Sequence, residues 1–160
     1  MKPKEEDLLN CPDVDESGSV GERLCQLLPS FLSVNQHQLQ QISPITLAYL
    51  GDAVYELYVR SYYLMPPKRS RQYHNLVVAQ VRAETQALHL RSLTPRLNST
   101  ELEIVRRGRN AATKHPKRVE PEIYQQATSL ETLIGYLYLS DHQRLHELLQ
   151  QLQLDTTLEE

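Results

Sequence analysis

Tryptophan is absent from this chain and glycine fills only five positions, whereas leucine, glutamine, glutamate and arginine are common. That balance favours helix over strand. The period-two alternation of half-buried strands is missing as well, so the fold class read from the pattern is all-α. Cysteine is nearly absent. Cys11 and Cys25 have no metal-ligand spacing, and they read as free thiols in a reducing cytoplasm. No apolar run approaches the roughly 20 residues of a membrane span. Lys2 and Lys4 are followed by Glu5, Glu6 and Asp7 with no apolar stretch behind them. A secretory signal lacks its apolar core there, and the acids argue against a transit peptide. The expected location is cytoplasmic. There are no internal repeats.

Charge is unevenly spread. The formal net charge is −3, but residues 1–22 carry two lysines against seven acids, which leaves the remainder at +2. A mildly basic body behind an acidic start is compatible with a nucleic-acid partner. Residues 1–20 are polar and aperiodic, and they read as a disordered tail. Residues 21–40 hold a short amphipathic helix, Glu22 to Leu32, and a linker. Residues 41–153 form the domain, and 154–160 fray.

Within the domain, Ser43-Pro44 is a helix start signal, serine as N-cap and proline in the first turn. The helix should reach about Leu64, where Met65-Pro66-Pro67 stops it. Its expected core stripe is Leu47, Leu50, Val54, Leu57 and Leu64. Asp52 and Glu56 fall on the other side, with Tyr49, Val59 and Tyr63 around them. A second helix is expected over 73–93, with Glu84 on its apolar stripe. A third, about 100–108, is capped by Asn98-Ser99-Thr100 and closed by Gly108 as C-cap. Glu120 to Ser140 is strongly apolar, with Ile123, Leu130, Leu133, Ile134 and Leu137 inward and Glu131 at the margin. A last helix covers about 142–153. The tyrosines clustered about the first long helix read as core or subunit packing. His37, His74, His89, His142 and His146 read as surface residues, and His115 as a possible phosphate contact.

Two features carry chemistry. Asp52 and Glu131 each sit on an apolar helix beside a glycine, Gly51 and Gly135. Glycine inside a helix costs about 1 kcal/mol against alanine and marks a place where something approaches the backbone closely. If the two helices cross there, the two acids meet. Adjacent carboxylates repel unless a cation separates them. Oxygen-only ligands suit Mg²⁺, which keeps several waters and needs only one or two protein carboxylates. The structural alternative pairs each acid with an arginine, Arg60, Arg82 or Arg91. The second feature is the run from Arg106 to Arg118. It holds six fixed positive charges, Arg106, Arg107, Arg109, Lys114, Lys117 and Arg118, and no acid. Such a run suits a phosphate backbone, and equally a solvated loop without a ligand.

Leu47-Ala48-Tyr49-Leu50-Gly51-Asp52-Ala53-Val54 resembles the signature helix of ribonuclease III. Ala79-Gln80-Val81-Arg82-Ala83-Glu84 resembles its third-helix region. Arg106-Arg107-Gly108-Arg109-Asn110-Ala111 and Ser129-Leu130-Glu131-Thr132-Leu133-Ile134-Gly135-Tyr136-Leu137-Tyr138-Leu139 are similar to the Mini-ribonuclease III group in particular. The resemblance covers roughly residues 40–150. It implies a homodimeric helical endonuclease domain without a double-stranded-RNA-binding domain. It implies Mg²⁺-dependent cleavage of double-stranded RNA to 5′-phosphate and 3′-hydroxyl ends, with a stem of the large-subunit (23S) ribosomal RNA precursor as substrate. Asp52 then matches the catalytic aspartate and Glu131 the metal-binding glutamate. The Arg106–Arg118 segment matches the RNA-facing loop. A ribosomal protein already on the RNA is an implied helper. Full-length ribonuclease III has glutamates where this chain has Ile45 and Ala48, and an aspartate at Thr128. Mini-ribonuclease III shares this reduced set, which leaves a thin metal shell. Those missing acids also motivate the rival reading, a non-catalytic RNA-binding module in ribosome assembly. A helical adaptor for protein is the third.

Overall fold

The computed structural model describes residues 34–113 and 116–154. The expected acidic tail, the helix at Glu22 to Leu32, His115 and residues 155–160 lie outside them. The described residues are helical and include no strand. In chain order the helices are α1 (Gln36–Gln41), α2 (Pro44–Tyr62), α3 (Ser70–Val81), α4 (Ala83–Leu93), α5 (Ser99–Ala111), α6 (Pro121–Ser140) and α7 (His142–Leu149), with a 3₁₀ turn at Thr94–Arg96. The short α1 falls where a linker is expected from sequence. It is closed by a capping box between Asn35 and Gln38.

α6 is the hub, packed against α1, α2, α4, α5 and α7. It buries residues nearly all the way round, from Ala127 through Tyr138. A helix apolar on every side belongs in a core. Its small residues set how closely the neighbours approach. A methyl group at Gly51 of α2 would overlap the Glu131 carbonyl and lie 2.7 Å from the Gly135 nitrogen. One at Gly108 of α5 would lie 2.6 Å from Thr132 Oγ1. Thus α2 presses backbone to backbone onto Glu131 and Gly135 of α6, while α5 seats its glycine against the Thr132 side chain and Ser129.

Start signals behave as read. Ser43 Oγ accepts from Thr46 N at 3.1 Å, and Pro44 opens α2. Asn98 caps α5 in a capping box with Glu101. Several other expectations are corrected. The buried face of α2 is Leu47, Ala48, Gly51, Tyr55 and Val59, because the close approach to α6 is made on the glycine side. Leu57 and Leu64, expected inside, are exposed. The helix expected over 73–93 is two helices. Arg82 is extended, with φ −69° and ψ 151°. The carbonyls this frees are taken by side chains. Tyr55 Oη donates to Gln80 O at 3.0 Å, Thr85 Oγ1 to Ala79 O at 2.7 Å, and Gln86 Nε2 to Val81 O at 3.0 Å. The break turns Glu84 out to solvent rather than onto an apolar stripe. His89 is buried, not at the surface, and its Nδ1 lies 2.9 Å from Tyr55 Oη. Since the single Tyr55 hydroxyl proton goes to the Gln80 carbonyl, His89 carries a proton on Nδ1. Gly108 is not a C-cap. It is buried inside α5, which runs on to Ala111. Leu152 and Leu154 pack on the core, so the chain stays docked through 154.

One ion pair, with its acid buried and its arginine half-buried, escaped the sequence reading. Arg144 Nε donates to Glu101 at 2.7 Å, and its Nη2 to Arg96 O at 2.8 Å. Burial pushes the Glu101 carboxyl up, but the bonds from Arg144 and the Asn98 amide outweigh it and hold it below the usual range.

Candidate active site

The crossing of α2 and α6 at Gly51 and Gly135 brings Asp52 and Glu131 together. Each is the chain neighbour of, or one turn from, the glycine that makes the contact. Asp52 sits at the exposed rim and Glu131 half-buried behind it. Their proximity shows in their acidities. Burial first, and then the Asp52 charge, pushes the Glu131 carboxyl up to about 7, against a pull downward from a hydrogen bond with the Gln86 side chain. Asp52 is also raised, by burial and then by Glu56.

Among the described residues no cation pairs with either acid. Of the arginines weighed as partners, Arg60 pairs with Glu56, Arg82 Nε donates to Thr85 Oγ1, and Arg91 Nε to Gln126 Oε1. Two converging carboxylates, the inner one pushed up in part by the charge of the outer, with no arginine between them among the described residues, form a donor set that fits a hard divalent cation. Among the described residues no group of three or more ligating side chains gathers. An ion held here would therefore keep most of its waters. Thr128 is buried one turn before Glu131, where an acid would otherwise enlarge the set.

The basic run lies partly on a helix. Arg106, Arg107 and Arg109 belong to the last turns of α5, where sequence suggested a loop from Gly108 onward. Gly108 seats against Thr132 and Ser129, so these arginines flank a contact one residue from Glu131. Arg106 is tied to Glu103 by bonds of 2.8 and 2.6 Å. Arg109, Lys117 and Arg118 are exposed and Arg107 is half-buried. Lys114 lies outside the described residues.

Sequence reasoning missed the polar layer beneath the acids: Gln80, Gln86 and His89, all buried, with Tyr55 fully so. A lone glutamine in a glutamine-rich chain gives no signal that it will be enclosed.

The ribonuclease III domain family matches residues 45–142. A Synechocystis protein named Mini-ribonuclease 3 is 60% identical over 116 residues, which cover 72% of this chain and 81% of that one. A Clostridium tetani protein of the same name is 36% identical over 118 residues, covering 71% and 78%. The crystal structure of a Fusobacterium nucleatum protein aligns with a TM-score of 0.64 at 30% identity, over 69% of this chain and 91% of that one. This chain belongs to the ribonuclease III family, in the Mini-ribonuclease 3 branch, and is an endoribonuclease. Among the described residues no helix is long and apolar enough to cross a membrane.

Proposed function

We propose that the chain is a Mg²⁺-dependent endonuclease that cleaves double-stranded RNA and matures the ends of the large-subunit ribosomal RNA precursor, working as a homodimer in the cytoplasm. The observation that carries this reading is the meeting of Asp52 and Glu131 with no cation between them among the described residues. These two residues are the proposed ion ligands, with Asp52 the catalytic one. When bound, the ion lowers the pKa of a water and offsets charge on a phosphoryl oxygen. Arg106, Arg107, Arg109, Lys114, Lys117 and Arg118 are assigned to the phosphate backbone. Holding the duplex there sets the scissile phosphate against the acid pair and resists its drift during reaction. The choice of a ribosomal precursor stem, and of a ribosomal protein as helper on it, rests on the resemblance to Mini-ribonuclease III.

Incubating the protein with a base-paired precursor stem tests this. Cleavage is expected with Mg²⁺ and none after chelation, and activity should fall steeply with added salt. Duplex binding without cleavage at any Mg²⁺ concentration would instead identify a non-catalytic module.

The dimer is supported by the outer side of α2. Ile45, Tyr49 and Leu57 are exposed there, Tyr49 at 84%, with Ala53 between them. Exposed apolar side chains grouped beside a site suit an association surface. Two copies joined along it would supply one site for each strand. Tyr49→Glu is expected to convert a dimer to monomers in light scattering with the helix content kept. A dimer of unchanged mass would move the interface elsewhere.

A further inference from the structure

We infer that Arg82 is a phosphate-binding residue for the duplex: the break between α3 and α4 presents its guanidinium, oriented and unneutralised, to a backbone phosphate close to the scissile one. The inference rests on reading Asp52 and Glu131 as the site that cuts double-stranded RNA.

Arg82 is exposed, yet its side chain is held. Its Nε donates to Thr85 Oγ1 at 3.1 Å, and that hydroxyl places its own proton on the Ala79 carbonyl at 2.7 Å. The hydroxyl oxygen is therefore fixed as an acceptor, and Arg82 is fixed through it. The two terminal nitrogens of the fork bond to no described residue. Arg60 and Arg106, exposed as well, are each paired with an acid on their own helix, Glu56 and Glu103. Arg82 forms no ion pair among the described residues, with Glu84 or with any other acid. Ordering a long side chain costs conformational entropy. A planar fork ordered in advance, with its outer nitrogens open, matches the oxygens of a phosphate.

Position decides which phosphate. The Gln80 carbonyl, two residues before Arg82, is taken by the Tyr55 hydroxyl. Tyr55 follows Asp52 by three residues, about one turn of α2. On the other flank α4 packs on α6, the helix of Glu131, and its first turn buries Gln86. The stretch that carries Arg82 is thus tied to both helices that bring the acids together. It is also a different element from the basic run on α5 and the loop after it. A phosphate held here fixes the register of the strand on the acid pair.

The test follows binding of a fluorescently labelled base-paired RNA stem by anisotropy, in chelator so that nothing is cut, over a series of KCl concentrations. Arg82→Gln removes the charge and is expected to weaken binding about 10-fold at low salt. The slope of log affinity against log salt should fall by about one contact. Arg82→Lys keeps the charge without the fork, so it should restore the slope and only part of the affinity. In cleavage, Arg82→Gln should raise KM with little change in kcat. Mn²⁺ binding to metal-free protein, followed by electron paramagnetic resonance, should equal that of the unsubstituted chain. Arg109→Gln, at a position already assigned to the phosphate backbone, is the reference for the loss of one contact. Unchanged affinity and slope in Arg82→Gln beside a weakened Arg109→Gln overturns the inference and leaves the duplex reading standing. A loss of Mn²⁺ binding as large as the loss of duplex binding also overturns it, since Arg82 would then act by holding the break. An unsubstituted chain that binds no duplex removes the proposed function and this inference with it.

Discussion

Asp52→Asn is expected to lower duplex cleavage by about a thousandfold or more, the scale reached when a group acting in the transition state is removed, while the fold is kept. The side chain sits at the exposed rim, so the amide fits where the acid was. Glu131→Gln should lose activity comparably, but with a second effect of opposite sign. The Glu131 carboxyl is pushed up to about 7 by burial and by Asp52. A carboxyl whose folded pKa lies above its unfolded value contributes stability that is complete below the unfolded pKa. That contribution fades as pH rises through the folded one. Metal-free protein should therefore become less stable between about pH 4.5 and 7. The span is on the order of 2–3 kcal/mol. Glu131→Gln should flatten that fall and raise the urea midpoint at pH 8. Mg²⁺ should stabilise the unsubstituted protein and not the variant. Urea midpoints at pH 5 and 8, with and without Mg²⁺, measure all of this. Cleavage retained in Asp52→Asn, or a Glu131→Gln protein less stable than its parent at pH 8, would remove the basis for the paired-acid site.

How legible this was in the sequence depended on how local each cause is. Caps are local: Ser43-Pro44 and Asn98 with Glu101 open helices because bonds within four residues decide it. The site was legible for a similar reason. Asp52 and Glu131 each carry a helix-disfavoured glycine nearby, and both glycines prove to be where the helices touch. What failed was decided by partners distant in sequence. The break at Arg82 needs Tyr55, 27 residues upstream, to take the Gln80 carbonyl. The inner face of α2 was read only in part: Leu47, Leu50 and Val54 do pack inward, but large leucines outweigh Gly51 and Ala48 in any periodicity count, and close approach requires the small residues. Gly108 was misread for the same reason, as an end signal rather than a contact. Glu101 and Arg144 are 43 residues apart, and their pairing has no local trace.

Gly51→Ala carries the largest expected change in stability, and its sign separates two opposed effects. On an isolated helix this substitution gains about 1 kcal/mol. Here the added methyl would overlap the Glu131 carbonyl and come within 2.7 Å of the Gly135 nitrogen, both main-chain atoms of the most enclosed helix. Backbone cannot rotate aside as a side chain does, so α2 and α6 must separate. Overpacking that side chains can relieve already costs about 1–3 kcal/mol. Separating two helices along their shared face should exceed it, leaving a net loss of at least about 3 kcal/mol from a total typically near 5–15. Gly135→Ala should behave alike, since its methyl would overlap the Leu47 carbonyl and lie 2.8 Å from the Leu47 carbonyl carbon. In both variants the urea midpoint should drop sharply. Any surviving folded fraction should bind Mn²⁺ poorly, because the separation that admits the methyl also draws Asp52 away from Glu131. A midpoint equal to or above the parent's would mean that helix propensity outweighs contact at residue 51. The close crossing on which the acid pair depends would then be wrong.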